Sequence, residues 1–479
     1  MAELKQKVLS GLRWSVGARA ASQLATWAST IIVMRLLQPS DYGLMAMAAF
    51  FIALCMLVNE LGMGAAVVQA KEVTDTLLRQ VFGVVLIGNG TFFVILTAGS
   101  PLIARFFDEP RLVAIVSVLA LQFPIAAFSV IPSATLNRKM NFRGRSIAEL
   151  IAMLSGAIVT LIMAWTGFGV WSLVVGSLVT LAVRTVGFCY IEPFCKRPSF
   201  NFANFADRAK FGGYITVTRL LWYFYSQADV FIVGKLLGKT ILGYYSVAMH
   251  VASLPMQKVG GILQQVALPA YSQLQDNKEL ASSYVLKASR VLSFFAFPIF
   301  FGISSVANEI ITVALGEKWL PAILPLQLLS LIIPLRTIQI SIGPAVNGMG
   351  RPDVNVRNLI AACILMPVSF FIGTYWGLLG VSLAWIIAFS LWFLFMLTGS
   401  LPVLGVTMGR FLKTLWLPFM YSSIMYGAVY LIKLLLTRAG TDIIVTLIAM
   451  VVTGAVVFAG SMLLFSRPTC RQIWGMLRG

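Results

Sequence analysis

The stretch IIVMRLLQPSDYGLMAMA, residues 31–48, recurs in altered form 200 positions later as FIVGKLLGKTILGYYSVA, residues 231–248. Six of the eighteen aligned positions are identical, and Arg35 and Lys235 form a conservative pair. An internal repeat of this kind indicates the architecture of a chain, so it is considered before any single motif. We therefore interpret the chain as two copies of one folding unit.

The composition of the whole chain is typical of a membrane protein. Of its 479 residues, 59% are hydrophobic and 11% are charged, and the mean hydropathy is +0.89, far from the mixture of a soluble domain. About fourteen continuously apolar stretches have the roughly 20 residues that a helix needs to cross a bilayer. They begin near Trp14, Asp41, Leu77, Arg111, Ser146, Gly169, Phe211, Ile241, Arg290, Pro321, Val354, Leu378, Phe411 and Asp442.

The lysine and arginine residues are distributed unevenly between the two sides of the predicted membrane. With a cytoplasmic N-terminus, the cytoplasmic connections hold 23 of them, the opposite connections hold 8, and five lie within spans. The positive-inside rule then predicts that both termini are cytoplasmic. This distribution also accounts for the net charge of +19. Because the charges are dispersed over short loops beside the spans, they do not indicate binding of nucleic acid.

The repeat predicts how the spans are grouped. Six spans separate the two copies, an even number, so the copies share one orientation in the membrane. The expected fold is an all-α integral membrane protein with two parallel six-helix bundles, related by a pseudo-twofold axis along the membrane normal, and two C-terminal helices. Such bundles transport by alternating access, rocking about a central cavity. The predicted parts are a first bundle over 1–191, a basic cytoplasmic linker over 192–210, a second bundle over 211–398, and two further helices with a basic tail over 399–479.

Two stretches, residues 35–69 and 228–274, carry a resemblance to a known family. The chain resembles the Wzx-type polysaccharide flippases of the multidrug/oligosaccharidyl-lipid/polysaccharide exporter superfamily, in the branch similar to the colanic acid exporter. The resemblance implies movement of an undecaprenyl-diphosphate-linked oligosaccharide across the bacterial inner membrane, for synthesis of exopolysaccharide or lipopolysaccharide. It implies as partners the lipid-linked oligosaccharide, membrane lipids, and a polysaccharide polymerase with its export machinery.

Basic residues inside the apolar spans are the candidate substrate ligands. A charge at the middle of a bilayer is costly, so it normally faces a cavity or a partner. Arg19 and Arg219 are also 200 positions apart, and guanidinium groups bind phosphate oxygens in pairs. The alternative interpretations are snorkelling to the interface for these two arginines and structural pairing for the others. We predict that the diphosphate contacts Arg19, Arg219, Lys258 and Arg336, and that the glycan contacts Gln23, Gln265 and Gln339.

Three acidic residues also fall within or beside predicted spans. Glu60, Glu149 and Asp229 would serve either as counter-ions or proton carriers in transport, or as structural partners of nearby cations. Their dispersion along the chain contrasts with the compact acidic cluster expected of a drug/cation antiporter of the same superfamily. That antiporter is the first alternative function.

The remaining polar and aromatic residues show no catalytic pattern. Trp222, Tyr223 and Tyr225 would either stack on sugar rings or pack between helices. One histidine, five scattered cysteines, and the lack of a phosphate-binding loop or a nucleophile motif predict no metal, no cofactor and no enzyme activity. A membrane glycan polymerase or ligase is the second alternative, but it needs a large outward loop, and the longest predicted loops, 192–210 and 271–290, are cytoplasmic.

Overall fold

The computed structural model describes residues 29–59, 74–194, 196–200, 206–275 and 277–465; for 58–59, 206–218, 257–266, 268, 269 and 465 it describes the backbone alone. The described residues form helices and no strands, so the predicted all-α class is confirmed. The α-helices are α1 (Pro39–Asn59), α2 (Asp75–Phe107), α3 (Leu112–Leu119), α4 (Gln122–Arg138), α5 (Phe142–Trp165), α6 (Val170–Ile191), α7 (Ala206–Ser272), α8 (Lys278–Ser305), α9 (Ala307–Ile310), α10 (Ile323–Gly348), α11 (Pro352–Gly373), α12 (Gly377–Val403), α13 (Met408–Arg438) and α14 (Ile443–Phe465).

Eleven segments within the described residues are long and apolar enough to cross a membrane. One of them, Pro352–Val403, contains both α11 and α12, and another, Arg219–Met256, is broken at Gly238. With these two divided, the described part of the chain has a helix for each of the last thirteen predicted spans. The first predicted span lies mostly outside the described residues, and its described end, 29–36, is helical.

The predicted loop over 271–290 is wrong. Helix α8 begins at Lys278, twelve positions before the span predicted near Arg290. The side chain of Asn277 accepts the backbone N–H of Leu280 at 3.0 Å and so caps the helix. Hydropathy marks only the apolar part of a helix, whereas the cap marks its physical start.

The described residues form two compact units. Those up to Tyr223 form the first unit together with Gly238–Gly243. Phe224–Leu237 and those from Tyr244 onward form the second unit. The division of the sequence into bundles over 1–191 and 211–398 stays a prediction.

The repeated stretch encodes a break between two helices. In the first copy, residues 37–38 are not helical, and Pro39 begins α1, where its missing N–H costs nothing. In the second copy, the break falls at the corresponding position, Gly238, whose φ of 81° suits glycine and strains other residues. Both copies therefore contain the end of one helix, a tight turn and the start of the next helix.

Within the first unit, the two copies of this break contact each other reciprocally. A Cβ on Gly43 would lie 1.8 Å from the carbonyl oxygen of Lys239, and a Cβ on Gly243 would lie 1.8 Å from that of Pro39. Because 39 and 239, and likewise 43 and 243, are equivalent positions, the contact is self-complementary about a local twofold axis. The repeated glycines are thus explained by a backbone approach that admits no side chain.

Helices α5 and α6 pack through a second glycine contact in the same unit. A Cβ on Gly156 would lie 1.8 Å from Oγ1 of Thr180, and a Cβ on Gly176 would lie 1.8 Å from Oγ1 of Thr160. Small residues spaced four apart let helices approach closely in lipid, where no hydrophobic effect drives them together.

We expect Gly156→Leu to destabilise the first unit, because the leucine side chain has no room beside α6. Overpacking of this kind costs about 1–3 kcal/mol or more, which should lower both the melting temperature in detergent and the abundance in membranes. Gly99→Leu in α2 is the matched control, since nothing lies within 4 Å of a Cβ at Gly99. Equal melting temperatures for the two variants would contradict the packing described.

Phe194, Arg197 and Ser199, in the segment that follows α6, contact the first turns of α2. Ser199 donates its backbone N–H to the carbonyl oxygen of Arg79 at 2.8 Å, and Arg79 Nε donates to the carbonyl oxygen of Arg197 at 3.0 Å. The ring of Phe194 meets Phe82 edge-on, with centroids 5.4 Å apart. The beginning of the predicted linker is therefore attached to α2.

The last helix presents an apolar face outward. Side chains along α14 at helical spacing are more than half exposed, although the segment carries no charge from Ile443 to Phe465. An exposed face of this kind is stable in lipid and unfavourable in water. The exposed residues are Ile444, Val445, Ile448, Val451, Val452, Val456, Leu463 and Leu464.

The C-terminal helices are joined to the rest of the second unit by an ion pair. Lys433 Nζ on α13 lies 2.8 Å from Glu309 Oε1, and the Glu309 side chain is only 3% exposed. Rings of Phe297 and Phe301 on α8 meet Phe419 on α13 edge-on, at 5.7 Å and 5.9 Å between centroids.

Replacing one partner of this ion pair should lower the stability of the protein more than replacing both partners. Lys433→Met leaves Glu309 buried without its cation, a change that costs about 3–5 kcal/mol in buried pairs. Glu309→Gln combined with Lys433→Met leaves no such charge and should recover most of the lost melting temperature. Melting in detergent measures both, and a double variant that melts at or below the single variant would contradict the pairing.

Candidate functional site

A buried carboxylate in the second unit is the centre of the candidate site. Asp229 lies on α7, nine residues before the break at Gly238, and is 2% exposed. Its Oδ2 accepts the hydroxyl of Tyr245 at 2.5 Å and Nε1–H of Trp385 at 3.1 Å, and its Oδ1 accepts the backbone N–H of Val230 at 2.8 Å. Charge-assisted hydrogen bonds of this kind hold a carboxylate away from water.

Trp385 on α12 joins this carboxylate to an aromatic layer. Its indole is fully buried, and Nε1–H also points at the hydroxyl oxygen of Tyr245 at 2.6 Å. The rings of Phe370, Phe389 and Tyr225 surround it, with centroids 5.2, 6.0 and 6.5 Å away. The plane of the indole is therefore fixed by hydrogen bonds at its edge and by packing around it.

Arg336 on α10 lies over the face of this indole. Its guanidinium carbon is 4.3 Å from the ring centroid of Trp385, within the range of a cation–π interaction. Its Nη1 also contacts Sδ of Met249 at 3.5 Å. Arg336 as a whole is half-buried.

The arrangement combines a cation with a rigid support in a part of the chain that spans the membrane. A guanidinium presents five N–H donors in a fixed fork, and those pointing away from the indole match the oxygens of a phosphate or carboxylate. Asp229 and Arg336 both contact Trp385, Asp229 at the indole N–H and Arg336 over the ring. Chemically, the site suits an anion with several oxygens. Among the described residues no group of three or more histidine, cysteine, aspartate or glutamate side chains could hold a metal ion.

The structure brings two of the sequence-predicted site residues together. Arg336 and Asp229 share the site just described, and Gln339 follows Arg336 by one turn of α10 and is also half-buried. Arg219 is exposed and belongs to the first unit. Glu149, also in the first unit, forms an ion pair with Arg145 Nε at 2.8 Å, the structural alternative considered for it.

The other predicted residues cannot be placed in the site. Arg19, Gln23 and Glu60 lie outside the described residues, and Lys258 and Gln265 are described as backbone within α7 alone. Convergence of the four cations around one diphosphate stays a prediction.

Sequence reasoning missed Tyr245 and Trp385. Tyr245 lies in the repeat, where the first copy has Met45, and that departure from the repeat was the available signal. Trp385 lies in an otherwise apolar span without any polar neighbour in sequence, so no signal marked it. Of the aromatic residues considered for sugar stacking, Tyr225 is buried against Trp392 at 5.3 Å between ring centroids.

The comparison with protein families identifies the chain. A family model described as "Polysaccharide biosynthesis protein" matches residues 32–324, more than half of the chain. The chain belongs to this family. The resemblance recognised in the repeated stretches is thereby confirmed, and with it a multi-pass membrane location.

Members and structural neighbours of the polysaccharide biosynthesis family extend the likeness over nearly the whole chain. The lipopolysaccharide biosynthesis protein WzxC of Escherichia coli (strain K12) is 27% identical over 429 residues, covering 88% of this chain and 86% of WzxC. The lipid II flippase MurJ, in an inward closed conformation, aligns with a TM-score of 0.76 at 17% identity, covering 95% of this chain and 99% of MurJ. An inward-facing MATE multidrug resistance transporter aligns with a TM-score of 0.62 at 16% identity, covering 80% and 94%. The fold is thus shared by flippases and drug transporters.

Proposed function

We propose that this chain is a flippase that moves an undecaprenyl-diphosphate-linked oligosaccharide from the cytoplasmic to the periplasmic leaflet of a bacterial inner membrane. The observation that carries the proposal is membership of the polysaccharide biosynthesis family, together with the similarity to WzxC over most of both chains. The fold of MurJ, a lipid II flippase, supports it. The product would serve synthesis of exopolysaccharide or lipopolysaccharide.

Arg336 is the described residue that best suits the diphosphate in this proposal. Its guanidinium is half-buried over Trp385 and has donors left for two phosphate oxygens. Gln339, one turn further on α10, suits the hydroxyl groups of the first sugar. Arg19, Arg219 and Lys258 would add charge as the substrate is enclosed, and Gln23 and Gln265 would contact the glycan.

The transport step is alternating access, in which the binding of substrate shifts the protein between two conformations. No covalent bond is made or broken. The proposal therefore includes no cofactor and no enzyme activity. It places both termini in the cytoplasm, on the basis of 23 basic residues against 8. The partners are the lipid-linked oligosaccharide, membrane lipids, and a polymerase that extends the delivered repeat unit.

A drug/cation antiporter is the competing function, because a MATE transporter shares the fold. The described part of the second unit favours the flippase: its buried Asp229 is hydrogen-bonded by Tyr245 and Trp385, and its buried Glu309 is paired with Lys433. A site for a cationic drug would need an uncompensated carboxylate.

Deletion of the gene in its own host distinguishes the two functions. We expect lipid-linked repeat units to accumulate, and to resist a membrane-impermeant oxidant such as periodate added to spheroplasts, because the sugars face the cytoplasm. Expression of the full chain should restore oxidation and surface polysaccharide. Unchanged surface polysaccharide with increased sensitivity to cationic drugs would support the antiporter.

A further inference from the structure

Arg336 is held by residues that have no direct access to a substrate. Trp385 is fully buried beneath the guanidinium, and Tyr245 and Asp229 are buried behind Trp385. We propose that Trp385 and Tyr245 are positioning residues: Tyr245 and Asp229 fix the indole of Trp385, and the indole holds the Arg336 guanidinium in one orientation for a diphosphate. The inference rests on the proposed function, because it assigns a ligand to the same site.

The hydrogen bonds explain why the indole cannot rotate. Trp385 Nε1–H is directed at two oxygens, Asp229 Oδ2 at 3.1 Å and the Tyr245 hydroxyl at 2.6 Å. The Tyr245 hydroxyl in turn donates to the same Oδ2 at 2.5 Å. Rotation of the indole would leave its buried N–H without a hydrogen-bond partner and would remove one of the three hydrogen bonds to Asp229, which is costly for buried groups.

The fixed indole in turn orients the guanidinium. A planar guanidinium over an aromatic face is held by the ring quadrupole and by stacking. With the guanidinium held over Trp385, its in-plane N–H donors keep one direction, in which two of them suit two oxygens of one anion. A flexible arginine would lose rotamer freedom when it bound, so holding it in advance increases affinity.

The network is distributed over three long helices. Asp229 and Tyr245 lie before and after the break in α7, Arg336 lies on α10 and Trp385 on α12. Helix α7 therefore contributes two members of the network, and α10 and α12 contribute one each. This distribution separates a positioning network from ordinary core packing, in which a neighbouring apolar side chain fills the same role.

Binding of inorganic pyrophosphate to the full-length protein in lipid nanodiscs, measured by calorimetry, tests the inference. We expect Trp385→Phe and Tyr245→Phe each to raise the dissociation constant about threefold, and Trp385→Leu about tenfold, the scale of a partly desolvated cation–π contact. Trp392→Phe is the matched control. Trp392 is also buried on α12 and packs on the same rings of Tyr225 and Phe389, but its Nε1–H donates to the carbonyl oxygen of Asn358 and not to Asp229. Trp392→Phe should leave pyrophosphate binding unchanged.

A double-mutant cycle separates positioning from structural damage. If Trp385 acts through Arg336, adding Trp385→Leu to Arg336→Ala should weaken pyrophosphate binding no further. The inference would be overturned if Trp385→Leu weakened pyrophosphate binding equally in the wild-type and the Arg336→Ala protein. Equal effects of Trp385→Phe and Trp392→Phe on pyrophosphate binding would also overturn it. Trp385→Phe keeps an aromatic ring, so it answers the question if the leucine variant fails to fold.

The outcomes for the inference and for the proposed function can be told apart. Unchanged pyrophosphate binding in Arg336→Ala would remove the assigned ligand and the inference together, while flipping of lipid-linked substrate by the wild-type protein would still stand. The expected pyrophosphate results, combined with no flipping by the wild-type protein, would leave the positioning network intact and refute the flippase.

Discussion

Gly43→Val and Gly243→Val should each abolish most polysaccharide export. The Cβ atom alone would lie 1.8 Å from a backbone carbonyl oxygen in either variant, whereas real Cβ atoms essentially never come within 3.0 Å. Since the obstructing atoms belong to backbone at Lys239 and Pro39, no side chain can move aside. We expect a loss of at least about 3 kcal/mol, the upper end of overpacking costs, seen as lower melting temperature and lower export.

Gly90→Val is the matched control for these two glycines. Gly90 lies in α2 of the same unit, and nothing lies within 4 Å of its Cβ position. We expect this variant to keep wild-type abundance and export. Substitutions at open sites usually change the free energy of unfolding by only a few tenths of a kcal/mol, or about 0.5 kcal/mol at most. Normal export by Gly43→Val and Gly243→Val would refute the reciprocal contact between the two copies of the repeat.

Arg336→Ala should lose about 10- to 100-fold in export rate, because each charge-assisted hydrogen bond to phosphate contributes about 1.5–3 kcal/mol. Arg336→Lys keeps the charge without the fork, so it should retain partial export. Export is measured as surface polysaccharide at matched protein abundance. Matching is needed because removal of Arg336 also removes its contacts with Trp385 and Met249, which contribute to the packing of the second unit.

Arg357→Ala is the matched control for Arg336→Ala. Arg357 also lies over an aromatic ring of the second unit, with its guanidinium carbon 5.7 Å from the centroid of Phe395, but it is exposed. We expect near-normal export from this variant. If Arg336→Ala protein is abundant and exports normally, the assignment of the diphosphate to this site is wrong.

The sequence alone predicted the fold because lipid imposes strict rules on a chain. Every backbone group of a span must be satisfied internally, so an apolar stretch of about 20 residues becomes a helix with few alternatives. The start of α8 at Lys278 was missed, since that turn of helix is polar and Asn277 caps it. The boundary between the spans predicted to begin near Phe211 and near Ile241, in contrast, agrees with the break found at Gly238.

The candidate site was only half predictable. Arg336 and Asp229 stood out because charges are rare in membrane spans. Their proximity did not follow from sequence, since 107 positions separate them and no repeat relates them. Trp385 and Tyr245 carry no charge and look like packing residues in sequence, so only the direction of their polar atoms in three dimensions shows their role.

Translocation by the purified protein is the most direct test of the central claim, that this chain flips a lipid-linked oligosaccharide. The full chain would be reconstituted in liposomes with its fluorescent undecaprenyl-diphosphate-linked repeat unit, and a membrane-impermeant quencher would report the outer leaflet. The account predicts that wild-type protein makes the inner-leaflet pool accessible to the quencher, and that Arg336→Ala slows this about 10- to 100-fold. An inner pool that stays protected with folded wild-type protein, as in protein-free liposomes, would contradict it.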